Sequence, residues 1–119
     1  MQIVKVIYFD SETKKFEPVA LVNVPAHQTG FNAGDTDALE YAFAVTQNVF
    51  GSWSKGPSFE DGNHNEDYSE NVEVIAPLPT YLGRTLGHRS SMVGDLFAVD
   101  GKIYICKGIG FELYEKETV

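Results

Sequence analysis

Cysteine, positive charge and long apolar runs are scarce in this sequence of 119 residues, and each scarcity excludes a class of protein. The single cysteine, Cys106, cannot form an internal disulfide framework, which excludes a disulfide-stapled secreted domain. Nine Lys and Arg face seventeen Asp and Glu, for a net charge of −8, and so few cations disfavour general binding to nucleic-acid phosphates. A membrane-spanning helix needs about 20 consecutive apolar residues, and the sequence has no such run. We therefore expect neither membrane insertion nor direct, general nucleic-acid binding.

The apolar content is sufficient for one packed core, because 43% of the residues are hydrophobic and 13% are aromatic. β-branched and aromatic residues form two runs within 1–25, which predicts an N-terminal hairpin. The dipeptide Asp100-Gly101 predicts a type I′ turn in a C-terminal β region, 94–114. We predict a single α+β domain that covers the whole chain, with an antiparallel sheet of about five or six strands and one main helix packed on it.

The main helix is predicted at about 37–50, within a helical segment 35–50. Asp35 or Thr36 is suited to cap its first turn, and Asp37 adds negative charge where the helix dipole favours it. Apolar residues occupy most of the helix circumference, which indicates packing on a sheet. Gly51 is predicted to end the helix.

Signals for export and for catalysis are absent from the sequence. The N-terminus has the pattern of a strand and lacks a charged, long apolar leader, so we expect the protein in a cytoplasm. The sequence contains no nucleophile elbow, phosphate loop, dinucleotide fingerprint, paired zinc ligands or His-Glu-x-x-His motif. We therefore predict no catalytic residue, no metal site and no cofactor, and an enzyme is the less favoured class.

The segment 52–71 is predicted to be a long acidic loop, rich in Gly, Pro, Asn, Asp and Ser. Six acids lie between Glu60 and Glu73, with no Lys or Arg among them. Loops of this length inside compact domains are usually functional or mobile. Two interpretations stay open: a solvated loop, or a negative surface that meets a basic partner and imitates DNA phosphates. The candidate partner-binding residues are Glu60, Asp61, Glu66, Asp67 and Glu70, with Trp53 as an aromatic contact.

Part of this loop has the spacing of a calcium-binding loop. Asp61, Asn63, Asn65 and Asp67 supply oxygen at alternate positions. The sixth position is Glu66 where a calcium loop needs glycine, and the twelfth is apolar where it needs a bidentate glutamate. The spacing is therefore insufficient to predict a calcium site.

Both arginines of the chain lie in the stretch 84–91, which is the only locally basic cluster. Arginine binds phosphate or carboxylate through two parallel hydrogen bonds, which suits an anion or nucleotide site. The other interpretation is that the arginines pair with carboxylates of the chain, such as Asp95. The candidate anion-binding residues are Arg84, His88, Arg89 and Ser90.

Five short motifs are shared with a group of proteins, namely Ala38-Leu39-Glu40-Tyr41-Ala42-Phe43, Gly51-Ser52-Trp53-Ser54, Asp61-Gly62-Asn63, Arg89-Ser90-Ser91-Met92-Val93-Gly94-Asp95 and Gly110-Phe111-Glu112. Over roughly 38–114 the sequence resembles small uncharacterised accessory proteins encoded by tailed phages, prophages and mobile elements. The C-terminal part is also similar to YodL-like domains, in its Arg-Ser, Val-Gly-Asp and terminal Gly-Phe pattern. The resemblance implies a phage or mobile-element origin and an accessory role, and it implies no catalytic residue.

Small acidic accessory proteins of phages commonly bind and disable a host or defence protein, and the resemblance implies the same role here. The expected partner is a host or defence protein with a basic surface, met in the host cytoplasm. The alternative is a protein or enzyme that binds a nucleotide or another small anion through the stretch 84–91. A structural role in the virion is a third possibility. A homodimer is also possible, with 111–114 as an exposed pairing edge.

Overall fold

The fold is a six-stranded antiparallel sheet with one α-helix packed on it, as predicted. The computed structural model describes residues 2–32 and 34–116, so the first residue of the predicted hairpin lies outside the described residues. The elements are β1 (Gln2–Asp10), β2 (Lys15–Val24), a 3-10 turn (Ala26–Gln28), α1 (Thr36–Ala44), β3 (Val72–Val74), β4 (Thr80–Tyr81), β5 (Arg84–Thr85), β6 (Leu96–Val99), β7 (Lys102–Cys106) and β8 (Phe111–Lys116). The sheet order is β3-β2-β1-β6-β7-β8, while β4 and β5 form a separate hairpin.

Local turn chemistry explains the two hairpins that build the sheet. β1 pairs with β2 along its whole length, and β6 pairs with β7 across the dipeptide Asp100-Gly101. These two residues have φ values of 50° and 77°, the left-handed pair that a type I′ turn requires. β1 also pairs with β6, which joins the two hairpins into one sheet. Two antiparallel hairpins thus build the middle of the sheet.

The main core lies between one face of the sheet and α1. Alternate residues of β1 and β2, such as Val4, Val6 and Val22, are fully buried, as the period of two in a strand requires. Ala38 and Ala42 of α1 pack against them, and the small size of alanine lets the helix come close to the sheet. Burying one such valine contributes about 1.5–3 kcal/mol, so this layer is a main source of stability.

The N-terminal end of α1 is fixed by contacts outside the helix. Asp35 occupies the capping position, but its side chain makes no capping hydrogen bond. Its Oδ2 instead accepts the hydroxyl of Tyr104 at 2.8 Å, which ties the helix to β7. Asp37 accepts the backbone N–H groups of Phe31 and Asn32 at 2.7 and 2.9 Å, and hydrogen bonds from Asn32 hold the pKa of Asp37 below its usual value.

The C-terminal end of α1 is Ala44, earlier than the predicted end at residue 50. Val45 still donates a helical hydrogen bond to Tyr41 at 3.0 Å, and beyond it the backbone turns to tertiary partners. The carbonyl of Thr46 accepts the N–H of Ser91 at 2.9 Å, and its hydroxyl donates back to Ala42 at 2.8 Å. Hydroxyl groups that bond the backbone in this way compete with helix continuation. Val49 and Phe50 are 65% and 82% exposed, so the apolar periodicity of 45–50 does not mark a packed helix face.

An ion pair joins this sheet to the segment that follows β5. Arg89 donates to both carboxylate oxygens of Asp95, at 2.7 and 2.8 Å. Asp95 is only 1% exposed and also accepts the backbone N–H groups of Phe9 and Met92. The Arg89 guanidinium lies 4.1 Å from the centre of the Tyr8 ring. The pairing with Asp95 considered above is thus present.

We predict that Asp95→Ala lowers the free energy of unfolding by about 3 kcal/mol, because it leaves a guanidinium and two backbone N–H groups without their acceptor. Urea denaturation measures the change. The matched comparison is Glu112→Ala, which removes the exposed ion pair with Lys107 at 3.6 Å and should cost less than about 1 kcal/mol. Equal losses in the two variants would contradict the central place given to Asp95.

Candidate protein-binding surface

The acidic loop, residues 52–71, is an ordered structure built around one buried side chain. Asn65 is fully buried, and its Oδ1 accepts the N–H of Ser52 at 2.9 Å. Its Nδ2 donates to the carbonyls of Ser52 and Gly56 at 2.6 and 2.8 Å. A single amide thus closes the loop on itself, in the way that satisfied buried polar groups fix a backbone.

Asp67 fixes the other side of the acidic loop. Its Oδ2 accepts three consecutive backbone N–H groups, those of Val49, Phe50 and Gly51, at 2.7, 3.0 and 2.7 Å. Successive N–H groups that converge in this way form an anion-binding concavity. The Asp67 carboxylate is therefore occupied by the chain itself, which disfavours the predicted direct contact with a partner.

Gly51 has a different role from the predicted helix end. A Cβ atom at this position would clash with Oδ1 of Asn65. The glycine is therefore required for the close approach of the Asn65 side chain, and any larger residue displaces it.

Four of the predicted partner-binding carboxylates do lie on the surface. Glu60, Asp61, Glu66 and Glu70 are exposed. Asp61 accepts hydrogen bonds from the backbone and side chain of Asn63 at 3.0 and 2.9 Å, which forms a local turn. The alternating oxygen side chains thus build turns, and within the described residues no group of three or more His, Cys, Asp or Glu side chains is arranged to hold a metal ion.

Trp53 was predicted to contact a partner, but the structure buries it. Its indole is 1% exposed, stacks on the His88 ring at 5.8 Å and donates from Nε1 to the carbonyl of Arg89 at 2.8 Å. The tyrosine hydroxyl of Tyr8 donates to the same carbonyl at 2.8 Å. A large aromatic ring with one polar atom satisfied is well suited to the core, and this explains its burial. The prediction that Trp53 contacts a partner at the surface is therefore wrong.

The four predicted anion-binding residues do not converge on one site. His88 is buried, with Nε2 3.2 Å from the carbonyl of Ala76. The hydroxyl of Ser90 accepts the N–H of Asn48 at 2.8 Å. Arg89 uses its terminal nitrogens on Asp95 and on backbone carbonyls. Three of the four side chains are thus engaged in holding the fold.

Arg84, the fourth, lies on β5 and borders the acidic loop. It lines a groove of about 430 Å³ together with Lys55, Phe59, Glu60 and Asp61. No hydrogen bond or ion pair with another residue of the described ranges engages its guanidinium. The sequence suggested two separate charged surfaces, whereas the fold brings this arginine next to the first acids of the loop. No local sequence pattern near either segment signals this proximity, because the hairpin of β4 and β5 is what brings Arg84 next to the acidic loop.

Comparisons of the chain with protein-family models, curated proteins and solved structures gave no match. In the part of the chain that the structure describes, no helix combines the length and apolarity needed to cross a bilayer.

We predict that Asn65→Ala opens the acidic loop, because it removes the acceptor and donors that close it. Leaving buried backbone groups without partners costs about 1–3 kcal/mol for each group. Limited proteolysis should show faster cleavage within 55–70 than in the unaltered protein. Asn63→Ala is the control, since its side chain bonds only to Asp61 among the described residues. Equal cleavage rates in both variants would contradict the role of Asn65.

The buried Tyr8 hydroxyl predicts a loss of stability at alkaline pH. Burial raises the pKa of Tyr8 to about 12 from an unfolded value of 10.0, so the folded protein favours the neutral phenol. The resulting stabilisation is complete below pH 10 and is lost as the pH rises through about 12, a change on the order of 3 kcal/mol.

Urea denaturation between pH 8 and pH 12 should therefore show that the stability gap between the unaltered protein and Tyr8→Phe shrinks as the pH rises. At pH 8 the variant is less stable, because it lacks the hydroxyl that bonds Ser91 at 3.0 Å. A gap that stays constant across this range would disprove the assignment.

Proposed function

We propose that the chain is a small acidic accessory protein of phage or mobile-element type, which binds and inhibits a host or defence protein through the acidic loop. The partner presents a basic surface, and the negative charge imitates DNA phosphates. Binding takes place in the cytoplasm of the host. Catalysis is not part of the proposal, and no cofactor is required.

The observation that carries the proposal is the fixed presentation of exposed carboxylates. Asn65 and Asp67 hold the backbone of the acidic loop, so its exposed acids need little ordering when a partner binds. A surface that is already ordered loses less conformational entropy on association. Preorganisation therefore favours a binding surface over a merely solvated loop.

The surroundings of the acids support different contributions to such binding. Lys55 and Arg84 border the same groove as Glu60 and Asp61 and offset part of their charge. Glu66 and Glu70 are exposed and do not line that groove. The uncompensated negative charge of the acidic loop is thus centred on these two residues, where charge complementarity accelerates encounter with a basic partner.

Binding of a nucleotide or another small anion has weaker support. Arg89, His88 and Ser90 are engaged inside the protein, as described above. Only Arg84, together with Lys55, retains a cationic group in an open groove, and the carboxylates of that groove repel an anion. The acidic loop is therefore the favoured functional surface.

Affinity capture from lysate of the natural host tests the proposal. The triple variant Glu60→Gln, Glu66→Gln and Glu70→Gln should lose its specific partner, because it removes three of the four exposed carboxylates and leaves Asp67 and Asn65 in place. Capture should also weaken as salt rises from 0.05 to 0.5 M, roughly the range over which the screening length becomes shorter than a protein surface patch.

The matched control changes the same number of charges elsewhere. Glu12, Glu40 and Glu112 are exposed and lie outside the acidic loop, so their replacement by glutamine should leave capture unchanged. If both triple variants lose the partner equally, net charge alone explains binding. If neither loses it, the acidic loop has no role.

A further inference from the structure

A cavity of about 450 Å³ lies where the turn between β1 and β2 faces the segment that follows β5. Its volume is in the range of small-molecule sites, about 300–1,000 Å³. No residue of the acidic loop borders it. We name it the Tyr8 cavity, and its polar and aromatic wall includes Tyr8, Asp10, Glu12, Glu17, His88 and Arg89.

The inner wall of the Tyr8 cavity belongs to the core. Tyr8 and Val19 border the cavity and are only 7% and 2% exposed. Glu17 lies directly opposite Tyr8 in the pairing of β1 with β2. Directly opposed residues carry their side chains on the same face of a sheet, so the exposed Glu17 stands beside the Tyr8 ring. The cavity therefore combines a buried wall with a carboxylate at its edge.

One ring nitrogen of His88 is left open toward the Tyr8 cavity. The residue is 8% exposed, and its Nε2 lies 3.2 Å from the carbonyl of Ala76. Because a carbonyl oxygen only accepts, Nε2 carries the hydrogen and Nδ1 of the neutral ring is an acceptor. Among the described residues no hydrogen bond reaches Nδ1, whereas every fully enclosed side-chain nitrogen or oxygen has a partner. Nδ1 is therefore open to solvent, and the solvent-filled space that His88 borders is the Tyr8 cavity.

Three carboxylates also border the cavity, those of Asp10, Glu12 and Glu17. All three residues are exposed, and within the described part of the chain no ion pair engages them. Lys15 lies opposite Asp10 and shares its sheet face, but it does not border the cavity. The wall of the cavity thus carries three carboxylates against one cation, Arg89.

The charge of Arg89 is committed to the protein itself. Its guanidinium donates to both carboxylate oxygens of the buried Asp95, at 2.7 and 2.8 Å. It also donates to the carbonyls of Phe9 and Ser90 at 3.1 and 3.0 Å. The polar groups that the cavity leaves open to a ligand are therefore the Nδ1 acceptor of His88 and the carboxylates.

A metal ion fits this wall poorly. Among the described residues no three His, Cys, Asp or Glu side chains converge closely enough to hold one, and this includes His88 and the three acids. Acceptors that are spread around a cavity suit a larger cation, which reaches them with several separate donors.

We propose that the Tyr8 cavity binds a primary alkylammonium group, supplied by a free amine or by a lysine side chain of a partner. An ammonium group has three donors and no acceptor, which matches a wall whose open polar groups all accept. The alkyl chain contacts the buried wall of Tyr8 and Val19, and the three carboxylates disfavour an anion. This proposal is independent of the proposed function of the acidic loop.

Three small probes test the proposal by titration of the full chain, followed by NMR of the backbone amides and the histidine ring nitrogens. Pentylamine carries the ammonium group, pentanol is its neutral counterpart, and the blocked peptide acetyl-Gly-Lys-Gly-amide carries a lysine side chain. Pentylamine and the peptide should shift the Nδ1 resonance of His88 saturably. Pentanol should bind roughly tenfold more weakly than pentylamine, because it lacks the charge-assisted hydrogen bonds.

The relative affinities of the two ammonium probes identify the source of the ligand. Tighter binding of pentylamine indicates a free amine, and tighter binding of the peptide indicates a lysine of a partner. The proposal is overturned if neither ammonium probe shifts the Nδ1 resonance of His88, or if pentanol binds as tightly as pentylamine.

Two substitutions with the same change of charge separate the Tyr8 cavity from the net charge of the chain. Glu17→Gln should weaken the binding of pentylamine roughly tenfold, because it removes one charged acceptor from the cavity. Glu70→Gln is the matched control, since Glu70 is exposed in the acidic loop and does not border the cavity. Thermal melts check that both variants are folded. Equal weakening in the two variants would show attraction by net charge alone and would overturn the proposal.

Discussion

The bidentate pair between Arg89 and Asp95 is the interaction on which the rest of this structure depends. Asp95 stands at the entry of β6 and accepts backbone N–H groups from β1 and from the preceding turn, so one carboxylate connects three parts of the chain. The pair also fixes the backbone of Arg89, whose carbonyl accepts both the Tyr8 hydroxyl and the Trp53 indole. Burying one charge is tolerable here because every donor aimed at it forms a charge-assisted hydrogen bond.

The geometry of the acidic loop follows from that anchor. Trp53 is held between Tyr8 and His88, and its backbone N–H donates to Asn48 at 2.9 Å. The chain therefore leaves the core at a fixed position at the start of the acidic loop. Asn65 and Asp67 then need to organise only the part of the acidic loop that follows Trp53. Side-chain amides and carboxylates that replace secondary structure in this way keep a long loop ordered without a hydrophobic core of its own.

Local signals predicted the elements whose cause is local, and tertiary contacts decided the rest. The type I′ turn at Asp100-Gly101 and the first strand pair could be read from sequence, because turn chemistry and a period of two act between neighbours. The end of α1 could not be read from the sequence, since the Thr46 hydroxyl forms a hydrogen bond with that of Ser91, 45 residues away. β4 and β5 are two residues each and exposed, so no apolar pattern marks them.

The candidate sites show the same division. The concentration of acids could be predicted from composition, and their exposure is borne out at Glu60, Glu66 and Glu70. The roles of Trp53 and Arg89 could not be predicted from the sequence. A tryptophan or arginine that binds a partner looks the same in the sequence as one that satisfies a buried network. Only the fold shows that the Arg89 guanidinium is paired with Asp95 and that the Trp53 indole donates to the Arg89 carbonyl.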